Sequence, residues 1–438
     1  MFKRLMCVVL TLCLALCCWG CEQTPGPDST TGTVPGVTTE GGGAVTAPTA
    51  PEGAPQPETT EMNTAPETFP YPTENVDAAS LRGHGAIASG SNGYYSGRQT
   101  LKYTDMDSWK TISLCPQPGC THQDETCHAW MGENVSQLCD YHGTLYAITE
   151  DGNGGFQFLS KDPATGERKI LGQWEAEDEW EYYEQVILGN FSDGRCTIIT
   201  ILQHINPEEE DWTETHKYIY DLTAGTWEEL PQEYTDIQWS VAGIYGDYLL
   251  LTHRDELITE EVYAKWGAEF YGDISYQEYL KNRIPSEVRL YNLKTGETQI
   301  IASEEEGLIL SGDPALTYGY TYIYQKGNDI CLYNLQTQEE RVAVTMERVI
   351  NFWLLDHKVF LIQSFNGKPD SGCYVYFMDM DGGPLYLLPN GGSTDSMEFG
   401  IIVEGDGFFI GTYRSGMSTI SKADFYADRY DQSRTGGY

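Results

Sequence analysis

The segment LYNLKTG at residues 290–296 combines an apolar pair, a turn-forming Asn292 and a following Gly296. An Asn side chain initiates turns by accepting hydrogen bonds from the backbone, and Gly adopts positive φ without steric cost. The segment therefore predicts the end of one β-strand and a tight turn into the next.

Related segments recur along the chain. They are LSKDPATG (159–166), IYDLTAG (219–225), LYNLQTQ (332–338) and FMDMDG (377–382), with weaker copies KYTDMD (102–107) and ISKAD (420–424). A second hairpin pattern precedes most of them, at 141–146, 245–249, 355–360 and 404–409. Asn292 and Asn334 are 42 residues apart, and Asn334 and Asp379 are 45 apart, which matches one propeller blade.

These repeats predict an all-β fold, a β-propeller of seven four-stranded blades over residues 82–438. Six or eight blades are alternatives, and an array of β-sandwiches is the second choice of architecture. The last unit lacks a recognisable fourth strand. We therefore expect the segment near Gly83–Ser89 to supply it and close the ring.

A helical insertion is predicted near residues 258–285, where it lengthens one repeat. Val262, Trp266 and Phe270 recur every four residues, which is the spacing of one helix face. Ser275 and Glu278 form a capping-box pattern, and Pro285 ends the run.

The first 21 residues, MFKRLMCVVLTLCLALCCWGC, have the pattern of an export signal. Lys3 and Arg4 precede an apolar run, and Gly20 precedes Cys21. We expect residues 1–20 to be a lipoprotein signal peptide and Cys21 to receive the lipid. A plain secretory signal and an uncleaved anchor are the alternatives, although the apolar run is shorter than the roughly 20 residues of a spanning helix.

Residues 21–81 are predicted to be a disordered stalk. They are rich in Thr, Pro, Gly and Glu and contain almost no large aliphatic residues, so they cannot bury enough apolar surface to fold. Such a stalk would hold the domain away from the membrane.

The formal net charge of the 438 residues is −39. This acidity argues against nucleic acid as a partner, because phosphate binding requires a basic surface. We expect a monomer attached by lipid to the extracytoplasmic face of the cell membrane, with an unknown protein or glycan as ligand.

A cluster of potential metal ligands lies early in the domain. It comprises Cys115, Cys120, His122 and Cys127, with His128 as an alternative fourth ligand. Three thiols and an imidazole suit one structural zinc ion. A disulfide, for which Cys139 is a spare partner, is the competing interpretation in an exported protein. Reduced packing thiols are the third. No HExxH motif accompanies the cluster, which argues against a catalytic metal.

Together, the signal, the stalk, the Cys-x4-Cys-x-His-x4-Cys loop and the Tyr-Asn-Leu-x-Thr-Gly repeats resemble a group of bacterial surface lipoproteins. Proteins of that group are predicted propellers of unknown function. The resemblance implies an architecture and a location, and it implies no activity.

Three functions are compatible with the sequence. We expect a non-catalytic binding module, because propellers present variable loops around a central channel. A glycan-active hydrolase or lyase on the same scaffold is the first alternative, and it would need two carboxylates converging in the central cleft. A structural or assembly platform is the second. We assign no catalytic residue.

Overall fold

The computed structural model describes residues 83–90, 92–151, 154–176, 180–206, 212–236, 238–255, 260, 263–264, 275–311, 316–364, 373–388, 399–413 and 416–435. The predicted signal peptide 1–20, the lipid-attachment residue Cys21 and the stalk 21–81 lie outside these residues. So do Val262, Trp266 and Phe270 of the predicted insertion. Within the described ranges, the helices are all too short or too polar to span a bilayer.

Seven antiparallel sheets follow one another along the chain, and each is a contiguous segment. Their strands pair in sequence order except in blade 5. Blade 1 contains β1 (Gly83–His84), β2 (Ile87–Gly90), β3 (Gly93–Ser96), β4 (Lys102–Asp105) and β5 (Thr111–Ser113). Blade 2 contains β6 (Asn134–Tyr141), β7 (Thr144–Glu150), β8 (Phe156–Lys161) and β9 (Arg168–Trp174). Blade 3 contains β10 (Glu181–Ser192), β11 (Arg195–His204), β12 (Trp212–Asp221) and β13 (Thr226–Glu229). Blade 4 contains β14 (Trp239–Tyr245), β15 (Tyr248–His253), β16 (Glu287–Asn292) and β17 (Thr298–Ser303).

The remaining three blades follow blade 4 along the chain. Blade 5 contains β18 (Leu308–Ile309), β19 (Thr317–Tyr318), β20 (Thr321–Lys326), β21 (Asp329–Asn334) and β22 (Glu339–Thr345), and in this blade β18 and β19 both pair with β20. Blade 6 contains β23 (Val349–Leu355), β24 (Lys358–Ser364), β25 (Cys373–Asp379) and β26 (Tyr386–Leu388). Blade 7 contains β27 (Phe399–Glu404), β28 (Phe408–Tyr413), β29 (Gly416–Ser421) and β30 (Arg434–Thr435). The prediction of a seven-bladed, all-β propeller is confirmed.

The core of this ring is divided among the contacts between neighbouring blades. Seven buried apolar clusters are present in the described residues, and each combines side chains of two consecutive blades. One example joins Phe158 of blade 2 to Ile198 of blade 3. Each blade is thus buried on both sheet faces, which explains the near-continuous apolar runs in strands such as β24.

The predicted closure of the ring is wrong. Blade 7 has its own fourth strand, β30, and the segment near Gly83–Ser89 forms β1 and β2 of blade 1. The ring closes instead through an apolar cluster in which Tyr94 of blade 1 meets Val403, Phe408 and Ile410 of blade 7. The sequence pattern missed β30 because only two residues pair, and twelve residues separate them from β29.

The turns between third and fourth strands share one geometry in blades 2 to 5. A side-chain oxygen of Asp162, Asp221, Asn292 or Asn334 accepts hydrogen bonds from the backbone N–H groups two and three residues later. The turn then passes through a residue with positive φ. These residues are Gly166, Gly225, Gly296 and, in blade 5, Gln338 with φ 57°.

This geometry predicts opposite effects for two matched substitutions. Gly296→Ala places a Cβ in open space but at φ 70°, so we expect a loss of about 1 kcal/mol in the free energy of unfolding. Gln338→Gly removes the same strain and should be neutral or stabilising by up to about 0.5 kcal/mol. Denaturant unfolding of both variants measures the difference, and equal effects of the same sign would contradict it.

Two short α-helices are described. Helix α1 (Tyr276–Asn282) begins after Ser275, whose hydroxyl accepts the backbone N–H of Glu278, as the capping pattern predicted. Helix α2 (Lys422–Tyr426) follows the third strand of blade 7 and is capped by Ser421. The helical insertion is therefore confirmed at its C-terminal end, and the described residues 260 and 263–264 near its start are helical as well.

A buried ionic cluster joins blades 6 and 7. The ammonium of Lys422 on α2 lies 2.7 Å from Asp356 Oδ1 and 2.9 Å from Glu404 Oε1. The hydroxyl of Tyr426 donates to the other oxygen of Asp356 at 2.9 Å. All four side chains are buried. Burial alone lowers the pKa of Lys422, but the two carboxylates outweigh it and raise the pKa above its usual 10.5.

Removal of the Lys422 ammonium should lower the stability of the fold substantially. We expect Lys422→Met to lower the free energy of unfolding by about 3–5 kcal/mol, because two buried carboxylates lose their counter-charge. Since the folded pKa of Lys422 is raised, its stabilisation is complete below pH 10.5 and is lost only at higher pH. The matched control is Lys294→Met, which breaks an exposed pair with Asp247 and should change stability by about 0.5 kcal/mol at most. A small loss in Lys422→Met at pH 7 would contradict this assignment.

Candidate metal centre and the insertion face

The candidate ligands lie in the connection between blades 1 and 2. Residues 114–133 run from β5, the outer strand of blade 1, to β6, the inner strand of blade 2. The second half of this connection pairs with the loop between β3 and β4. Leu101 N–H donates to Ala129 O at 2.9 Å, and Met131 N–H donates to Gln99 O at 2.8 Å. The connection is thereby fixed at the blade 1–blade 2 interface.

The four predicted ligands converge. The thiol sulfurs of Cys115, Cys120 and Cys127 and a ring nitrogen of His122 all lie within 4.8 Å of one another. His122 Nδ1 is 3.2 Å from Cys127 Sγ. Cys127 is buried, and the other three side chains are partly exposed. The grouping predicted from the sequence is therefore present in the structure.

Turns within the loop bring these residues together. Gly119, between the first two cysteines, and His122, between the second and the third, both have positive φ, at 77° and 57°. The carboxylate of Asp124 accepts the backbone N–H and the hydroxyl of Thr126, which fixes the approach to Cys127. Cys127 Sγ also accepts the backbone N–H of Ala129 at 3.3 Å.

Two other candidates from the sequence lie outside the cluster: His128, the alternative fourth ligand, and Cys139, the spare disulfide partner. His128 packs beside the turn of blade 2, so closely that a Cβ at Gly166 would be 2.6 Å from the His128 ring. Cys139 belongs to β6 and lies at the apolar interface between blades 2 and 3. The structure therefore selects His122 over His128 as the fourth member of the group.

The thiols differ in acidity. Burial raises the pKa of Cys115, but hydrogen bonds from the backbone of Gln117 and His128 and from the neighbouring thiols lower it on balance. Burial raises the pKa of Cys127 to about 11, with the thiols of Cys120 and Cys115 adding to the increase. Cys115, Cys120 and Cys127 are free thiols in the structure. The disulfide interpretation stays a prediction, because a thiol pair and a disulfide differ only by oxidation.

The arrangement offers four ligands of the types that hold zinc in tetrahedral structural sites. For ideal bond lengths of about 2.0–2.3 Å, the ligand atoms of such a site lie within about 4 Å of one another. The observed limit of 4.8 Å needs only a small contraction. Since all four positions are filled by protein atoms, such a site has no open position for a substrate.

The connections of the propeller are distributed unevenly between its two faces. Because the strands alternate in direction, links between second and third strands and links between blades all lie on one face. We call this the insertion face. Its described residues include 97–101, 114–133, 230–236 and 275–286. The opposite face, the turn face, carries the two- or three-residue turns between first and second strands and the links between third and fourth strands. The link in blade 7, residues 422–433, is longer and contains α2.

Aromatic side chains are exposed where blade 3 reaches the insertion face. Trp212 begins β12 and stacks on the ring of His204, with centroids 5.0 Å apart and planes 5° from parallel. Trp180 and Tyr182 at the start of β10 are also exposed, by 39% and 42%. The sequence did not identify Trp212, because its position opposite His204 follows from the pairing of β11 with β12.

No protein-family model matches the chain, and no curated protein matches it. Solved structures match at low identity. An oligogalacturonate lyase in complex with manganese is 12% identical over 77% of this chain and 92% of its own, with a TM-score of 0.40. The dipeptidyl peptidase 4 of Porphyromonas gingivalis is 11% identical over 79% of this chain and 58% of its own, with a TM-score of 0.41. A puromycin hydrolase S511A mutant complexed with PGG is 11% identical over 86% and 57%, with a TM-score of 0.41. We draw no functional conclusion from similarities this low.

Proposed function

We propose that this chain is a lipid-anchored, extracytoplasmic propeller that binds its ligand without catalysis, through the insertion face. The observation that carries the proposal is the exposure of aromatic side chains at the insertion face, which also carries the long connection 114–133 and the link that includes α1. Loops on a rigid scaffold are the usual place of recognition, and propellers place them around a central channel.

The exposed aromatic side chains of blade 3 support a binding role for this face. Trp212 is 36% exposed although His204 covers one side of its ring. Tyr182 is also exposed, and its hydroxyl donates to Gln203 Oε1 at 2.7 Å. Trp and Tyr combine an apolar ring with a polar group, which suits both sugar rings and protein partners.

The location rests on the N-terminal sequence. Lipidation at Cys21 would attach the chain to the outer side of the cell membrane, and a diacylglycerol supplies the two chains that stable anchoring requires. Residues 21–81 would then act as a spacer between lipid and propeller. The resemblance to bacterial surface lipoproteins and the Tyr-Asn-Leu-x-Thr-Gly repeats agree with this arrangement.

Capture from the cell surface tests the proposal. The full chain is expressed in cells, recovered from the membrane fraction and applied to a glycan array and to membrane extracts. We expect selective binding that Trp212→Ala weakens by about tenfold, since a central aromatic contact contributes about 1–2 kcal/mol or more. The control is Trp227→Ala, because Trp227 is about equally exposed but is the second residue of β13, near the turn face.

The outcomes separate the alternatives. Equal loss in both Trp variants, with both folded, would contradict recognition by the insertion face. Turnover of a bound glycan would favour the hydrolase or lyase alternative, and stable capture of protein subunits alone would favour an assembly platform. In the same cells, Cys21→Ser should move the chain to the soluble fraction, whereas Cys18→Ser should leave it in the membrane.

We also propose that Cys115, Cys120, His122 and Cys127 hold one structural zinc ion. Three thiolates, one neutral imidazole and Zn²⁺ give the site a net charge of about −1. The buried ammonium of Lys161 lies close enough to Cys127 for their charges to interact, and it donates to Trp130 O at 3.2 Å and Gly166 O at 3.1 Å. A cation in this position offsets the site's charge.

Elemental analysis tests the zinc assignment. We expect about one zinc per chain, lost in Cys120→Ser and retained in Cys139→Ser, whose thiol lies outside the cluster. Chelation should lower the thermal midpoint of the wild-type protein and leave that of Cys120→Ser unchanged, because only the former loses metal. Metal-free, fully stable protein with two fewer titratable thiols would establish the disulfide interpretation instead.

A further inference from the structure

We propose that a depression between blades 1 and 2 on the insertion face binds the carboxylate of an acidic saccharide through Arg98 and Lys102. This inference rests on the proposed function and names its ligand class. The depression has a volume of about 430 Å³ and opens widely to solvent. It lies between the loop that joins β3 to β4 and the start of β6.

The depression brings two cations together on an acidic chain. Acidic residues outnumber Lys and Arg by 65 to 26. Several other cations, including Lys294, Lys326 and Lys422, are paired with carboxylates. Arg98 and Lys102 are both exposed, and neither side chain is paired with a carboxylate within the described ranges. Their charges are therefore available to a ligand.

The backbone that carries Arg98 is held in place. Val135 N–H donates to Arg98 O at 2.6 Å, and Thr100 bridges to Trp130 across the interface. Gly97 has a φ of 138°, and a Cβ there would lie 2.2 Å from Thr100 O. The loop thus needs glycine at its first position and is fixed at several points. A fixed loop reduces the ordering cost that a ligand would otherwise have to overcome.

The lining indicates what kind of molecule carries the anion. Beside the two cations, its described lining residues include Gln99, Thr100, Glu133 and Asn134, and none of them is aliphatic or aromatic. Amide, hydroxyl and carboxylate groups match the hydroxyl groups of a sugar, whereas a lipid tail or an apolar peptide would find no apolar side chain among these residues. A guanidinium forms paired hydrogen bonds with a carboxylate. A uronic acid unit combines both features.

The acidity of the rest of the chain limits where an anionic ligand can bind. A chain with a net charge of −39 repels anions over most of its surface. Anion binding therefore requires local cations, and the depression supplies two of them within one site. The candidate zinc loop ends at this site, because residues 129–131 of the same connection pair with residues 99–101. Loss of the metal should therefore weaken saccharide binding as well.

Calorimetric titration of the purified full chain tests the inference. The probes are hexamers of galacturonate and of mannuronate, neutral hexamers of galactose and mannose, and a hexaglutamate peptide. We expect a uronate hexamer to bind and the neutral hexamers to bind at least about tenfold more weakly. Arg98→Gln/Lys102→Gln should weaken uronate binding by at least about tenfold. Lys169→Gln/Lys294→Gln removes the same charge near the turn face and should change it by about twofold at most.

Each other outcome overturns the inference. Equal binding of neutral and acidic hexamers would exclude recognition of the carboxylate, and tighter binding of hexaglutamate would make the ligand an acidic peptide. Equal effects of the two double variants would exclude a local site. If no uronate binds while capture still depends on Trp212, the inference fails and the proposed function stands.

Discussion

Burial of apolar side chains between neighbouring blades is the constraint on which this structure depends. A single four-stranded sheet of this size cannot bury both of its faces alone, so each blade is stable only between two others. The described residues contain seven apolar clusters, which correspond to the seven interfaces of a closed ring. Because Tyr94 and Phe408 complete the last of these interfaces, the ring closes without a strand shared between its ends.

Polar contacts between blades supplement this burial and fix its geometry. In blade 4 the ladder between β14 and β15 has a bulge between Val241 and Gly243. The side-chain amide of Asn190 in blade 3 donates to the carbonyls of Val241 and Ala242 at this bulge, at 3.0 and 3.3 Å. Each such hydrogen bond satisfies a backbone carbonyl that the irregular ladder leaves unpaired. The Lys422 cluster has a similar position between blades 6 and 7, but its members are charged. Loss of one charge would leave its buried partners without a counter-charge, which costs more free energy than the intact cluster contributes to stability.

The division between scaffold and site follows from the same architecture. The turn face carries the two- or three-residue turns between first and second strands and, in blades 2 to 5, Asx turns whose side chains satisfy the backbone locally. The insertion face carries the links between blades, and these include the long connection 114–133. This connection is fixed to blade 1 by backbone hydrogen bonds and to blade 2 by the side chains of Lys161 and Arg168. It therefore links a candidate metal centre to the depression beside Arg98.

Much of this molecule is determined locally, by residues close together in the sequence. Asn292 and Gly296 specify a turn by themselves, and repetition of that pattern at blade length was sufficient to predict seven blades. The four cysteine and histidine ligands lie within thirteen residues, so their grouping was also predictable. Contacts between distant residues were not. The closure by Tyr94 and Phe408, the meeting of Asp356 with Lys422 and the pocket that joins Arg98 to Asn134 depend on which blades become neighbours. That depends on ring closure, a cooperative property of all seven interfaces that no short segment encodes.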